Sequence, residues 1–79
     1  MYENIHEFIR LAEEAVHIRD SKAPWKMKYD LIFSPGMSRR MHALVPFEYY
    51  DPDTSYEEDV RAFCRAVEEK AEELRLVLG

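Results

Sequence analysis

Asp51, Asp53, Ser55 and Glu57 stand at alternate positions within "YYDPDTSYEEDVRAF", residues 49–63, as oxygen ligands do in a calcium loop. An EF-hand also needs glycine at its sixth position for the sharp turn and a bidentate glutamate at its twelfth. Counted from Asp51, Tyr56 and Ala62 stand there. Dense acids could instead supply paired carboxylates for hydrolysis, but such a pair needs a cleft and one raised pKa, and no glycine-rich polar surround accompanies these. The entrance to a helix accounts for more of the residues. Pro52 holds Asp51 extended, and Thr54 with Glu57, or Ser55 with Glu58, fits the capping box. Glu57, Glu58 and Asp59 then load the positive end of the helix dipole. No catalytic residue, cofactor or metal ligand is assigned, and the chain is not expected to be an enzyme.

The other reactive side chains lack partners in the sequence. Cys64 falls between Phe63 and Val67 on an apolar helix face, whereas a catalytic thiol needs an accessible electropositive site and a positioned base. His6, His17 and His42 form no motif with it, and "HEFIR" is not the H-E-x-x-H zinc pattern. With one cysteine, no intramolecular disulfide can form, which favours a reducing compartment.

The elements that would position these residues follow from periodicity. Asn4 with Glu7 fits an N-cap, and Ile5, Phe8, Ile9, Ala12, Ala15 and Val16 recur at helical spacing, predicting an amphipathic helix over about 4–19. Tyr56, Val60, Phe63, Cys64, Val67, Ala71, Leu74 and Leu78 predict a second over 55–78. Met27, Tyr29, Leu31 and Phe33 alternate with Lys28, Asp30 and Ile32, which predicts a strand over 26–33. Residues 35–45 fit two structures. Ser34-Pro35-Gly36 can turn the chain into a second hairpin strand. Alternatively Ser34 caps a short helix opened by Pro35, with Met37, Met41, Leu44 and Val45 on one face. The helix is preferred, since a type II Pro-Gly turn splays hairpin strands. "FEYY", residues 47–50, would then pair with 27–33. The expected fold is α+β: one domain over 1–79, with two amphipathic helices packed on a small two-stranded sheet.

Seventy-nine residues with 47% apolar and 13% aromatic content suit a small globular domain, near the size where one core barely outweighs chain entropy. No apolar run approaches the roughly 18 residues of a membrane span, and the acidic "MYENIHEF" is not a signal peptide, so a soluble, cytoplasmic protein without membrane partners is expected. The net charge of −5 is segmental: residues 22–42 are basic and both flanks acidic. Overall acidity disfavours direct nucleic-acid binding. The only basic patch, Lys26, Lys28, Arg39, Arg40 and His42 near Trp25 and Tyr29, is small. Glu68, Glu69, Glu72 and Glu73 crowd the C-terminal half of a helix, where the dipole disfavours acids. They are either a solvated face or a surface that docks on a basic groove, even one built for nucleic acid.

"KYDLIFSP" together with "YYDPDTSYEEDVRAF", within residues 28–67, resembles small phage and prophage proteins of bacteria. That resemblance implies an accessory protein of a mobile element, working in the bacterial cytoplasm by binding and occlusion, as anti-CRISPR inhibitors of host defence do. It implies no catalytic residues. The expected function is non-enzymatic protein–protein binding to a host protein through Glu68, Glu69, Glu72 and Glu73, with Tyr49, Tyr50 or Trp25 as anchoring area. The alternative is a self-assembling structural or accessory protein that completes its core as a homodimer. A small protein binding metal through Asp51, Asp53 and Glu57, or binding nucleic acid, ranks behind both.

Overall fold

The computed structural model describes residues 2–34 and 36–79, and among them the chain is entirely helical, without a strand. The helices are α1 (Tyr2–Asp20), α2 (Trp25–Phe33), α3 (Met37–Leu44) and α4 (Tyr56–Leu78). The expected α+β fold is therefore corrected. Residues 26–33 are helix, and 46–50 run extended with no strand to pair with.

The physical reason lies in α2. Trp25, Lys28, Tyr29, Ile32 and Phe33, at i, i+3, i+4, i+7 and i+8, turn toward the core, while Met27 and Leu31 face solvent. A charged residue at an inward position and two apolar ones outside make the segment mimic a two-residue alternation. For 35–45 the short helix holds. Its N-cap is Gly36 rather than Ser34, and Pro35 lies outside the described residues. Asn4 is not a cap either, because α1 already includes it and runs from Tyr2.

α1 and α4 form the antiparallel spine. Ala12, Ala15 and Ala71 are buried between them, and the Cys64 thiol donates to the Ala15 carbonyl at 3.5 Å. Phe8, Ile32, Met41, Val60, Phe63 and Val67 fill the core, with almost no exposed surface. α2 packs across α4, and α3 packs on α1 and α2, its backbone standing off from that of α4. The extended segment closes that gap with aromatic rings: Phe47 meets Phe8 and Phe63 edge-on at 5.6 and 6.1 Å, and Tyr49 meets Phe63 at 5.5 Å. Such pairs add roughly 0.5–1.5 kcal/mol each beyond area burial, which substitutes for the missing sheet.

Candidate interaction surfaces

The stretch 49–63 resolves into a turn and a cap. Ser55 Oγ accepts the Glu58 amide at 3.1 Å, as the capping pattern requires. Upstream, the Asp53 amide donates to Asp51 Oδ1 at 3.0 Å and to Asp59 Oδ1 at 2.9 Å, holding Asp53 at a φ of 52°. Asp and Asn tolerate that left-handed conformation better than other side chains. Oxygens of Asp51, Asp53 and Asp59 lie within 4.8 Å of one another. Asp59 is buried, and that burial, then the Asp51 carboxyl, pushes its pKa above the ordinary carboxylate range. One oxygen each of Asp51 and Asp59 is engaged by the Asp53 amide, so these two carboxylates fix the turn that leads into α4. The fold thus brings Asp51 and Asp53 of the alternating set together with Asp59 and leaves Glu57 out of the cluster, paired with Arg61 instead.

The glutamate quartet divides along the helix. Glu68 and Glu72 border a groove of about 290 Å³ between α1 and α4, floored by Ala12, Val16 and Ala71 and faced by Glu13 and Arg75. Glu69 and Glu73 lie on the other flank, beside Phe47, Glu48 and Lys70. Arg19 holds Glu68 at 2.6 Å. Arg75 spans Glu13 at 3.5 Å and Glu72 at 4.0 Å, and Lys70 reaches Glu73 at 3.4 Å. Glu69 has no ion-pair partner among the described residues.

The three aromatic anchor candidates have different surroundings. Tyr50 is 82% exposed. Tyr49 is half-buried, its hydroxyl donating to the Asp59 carbonyl at 3.4 Å, and burial pushes its phenol pKa up. Trp25 is flanked by Lys28 Nζ at 3.9 Å and the Arg61 guanidinium at 4.9 Å from its ring centroid. Cys64 is buried, and burial pushes its thiol up to about 11, the opposite of an activated nucleophile.

The basic patch does not survive as a patch. Lys26 pairs with Asp30 at 3.0 Å, Arg40 pairs with Glu7, and Lys28 is buried. Arg39 and His42 remain at the mouth of a groove of about 540 Å³ between α3 and the aromatic segment. This groove was missed from sequence. Its one legible sign was the spacing of Ser38, Arg39 and His42 on a single side of the short helix.

No family model, curated protein or solved structure matches this chain. No helix among the described residues is long and apolar enough to cross a membrane.

Proposed function

We propose that the chain is a non-enzymatic binding protein that docks the acidic face of α1 and α4 on a basic surface of another protein. One observation carries this reading: Arg75 and Arg19 lay guanidinium groups of the chain itself across Glu13, Glu72 and Glu68. That face thus already shows the chemistry by which it would receive arginines of a partner, and Glu69, on the other flank of α4, adds to the acidic field without an ion-pair partner among the described residues. Charge would steer the encounter, and Tyr50, the most exposed of the aromatic candidates, would supply contact area. The resemblance to small phage proteins makes a nucleic-acid-binding host defence protein the partner class, with inhibition by occlusion the outcome.

The test is affinity capture with the wild-type chain and with a variant carrying Glu→Lys at 68, 69, 72 and 73, both shown by circular dichroism to be folded. A basic protein held by the first and lost by the second supports the reading. Equal capture by both overturns it. Met27 and Leu31, 53% and 49% exposed and one turn apart on α2, favour a second reading as a self-associating protein. Light scattering at micromolar concentration separates the two.

A further inference from the structure

The groove between α3 and the extended segment combines an aromatic interior with an uncommitted cation. Phe33 and Tyr49, stacked at 6.3 Å, line it together with Phe47, and all three rings rest against the buried Phe63. His42 leans on Phe47 with ring centroids 5.4 Å apart. Ser38 and Arg39, in the first turn of α3, complete the rim, and Asp51 stands on the lining as its one acid. Arg10, Arg19, Arg40, Arg61 and Arg75 each face a carboxylate, whereas Arg39 and Arg65 face none among the described residues. Of those two, only Arg39 borders this concave aromatic surface. The α3 amino end has no acidic residue in its first turn and no side-chain cap, so its dipole adds to the positive field on that rim.

We propose that this groove binds a small aromatic anion: a planar ring stacked among Phe33, Phe47 and Tyr49, its anionic group on Arg39, Ser38 and His42, and an amino donor directed to Asp51. The volume lies within the usual range for small-molecule sites. Charge complementarity selects the anion, since a guanidinium beside two further donors matches a carboxylate or phosphate oxygen. The rings supply the stacking area. Asp51, an acceptor, selects an exocyclic amine over a carbonyl at the other end. A nucleoside monophosphate and an amino-substituted aromatic carboxylate share this chemistry.

The experiment is titration of the full chain with adenosine monophosphate, inosine monophosphate, adenosine, 4-aminobenzoate and inorganic phosphate, followed by calorimetry and amide chemical shifts. Saturable binding of adenosine monophosphate or 4-aminobenzoate is expected, shifting the amides of Arg39, His42 and Phe47; the tighter of the two identifies the source. Adenosine and inorganic phosphate, each lacking one half, should bind on the order of tenfold more weakly or not at all. If the nucleotide is the tighter ligand, inosine monophosphate, without the amine, should also be weaker. Arg39→Gln should cost on the order of tenfold in affinity with an unchanged melting temperature, and Arg65→Gln, with the same loss of charge, should cost nothing. No saturable binding of either probe overturns the proposal, as does equal loss in both arginine variants.

Discussion

Lys28 Nζ donates to the carbonyl of Arg19 at 2.6 Å, joining the core side of α2 to the C-terminal end of α1. Helix ends leave carbonyls without intrahelical partners, and a cation there also suits the negative end of the dipole. The ammonium lies over Trp25, whose ring also meets the Arg61 guanidinium from α4. One lysine therefore ties together three helices: it caps α1, belongs to α2, and shares an indole with α4. Its burial is compensated by that hydrogen bond and by the ring face.

Lys28→Met keeps the aliphatic bulk and removes the charge. It should destabilise the protein by about 1–3 kcal/mol, the usual range for losing a hydrogen bond to a charged donor and stranding its acceptor. Lys26→Met, two residues away, breaks an exposed pair with Asp30 and a 5.8 Å contact over the Tyr56 ring, and should cost less than about 1 kcal/mol. Urea unfolding of both variants checks the ranking, and equal losses would show that the carbonyl contact contributes nothing beyond surface charge.

Asp59 makes a prediction about pH. Its carboxyl titrates above the ordinary value of 3.8 because it is buried and shares its surroundings with Asp51. Asp53 also faces it, as do the Tyr29 and Tyr49 phenols, and both phenols are themselves pushed up by burial and by these carboxylates. A raised folded-state pKa means that the folded protein holds this proton more tightly than the unfolded chain. The resulting stabilisation is complete below 3.8 and is lost as pH rises through the raised value. Asp20, held low by its hydrogen bond to Arg19, acts in the opposite sense and loses its contribution in acid. The informative quantity is therefore a difference. Asp59→Asn retains an oxygen for the Asp53 amide, so its stability relative to wild type should be greatest near neutrality and should decline toward pH 4. Melting temperatures of both proteins across that interval measure it, and a difference independent of pH would assign Asp59 an ordinary pKa.

Much of the spine was legible in the sequence. The apolar stripe of α4 was read from Tyr56 to Leu78, and side-chain chemistry narrowed its cap to Thr54 or Ser55, of which the structure selects Ser55. The sheet was not there to be read. Lys28 points inward because a carbonyl at the end of the preceding helix awaits it, and the pattern of residues 26–33 alone does not carry that information. Met27 and Leu31 lie outside, so alternation and helical spacing coexist in one segment and only tertiary packing decides between them. The two surfaces differ in the same way. The acids of α4 were visible as a cluster, but their division into a flank facing α1 and a flank facing Phe47 required the helices to be placed. The aromatic groove draws on α2, α3, α4 and the extended segment, so no stretch of sequence contains it.

Gly36 gives the clearest separation of backbone from side-chain effects. It holds a φ of +142° at the start of α3, and a Cβ there would meet nothing nearer than Arg39 Cβ at 4.0 Å. Space is available, so any cost of substitution comes from the backbone, where an L residue rarely adopts this conformation. Gly36→Ala should destabilise the protein by about 1–3 kcal/mol, the range for a residue held in a sparsely populated region. The 79-residue chain is within reach of chemical synthesis by ligation, which permits D-alanine at the same position. The D residue favours positive φ, carries the same methyl group and should recover most of the lost stability. Equal destabilisation by both enantiomers in thermal unfolding would place the cost in packing against Arg39 and remove the backbone explanation for glycine at this turn.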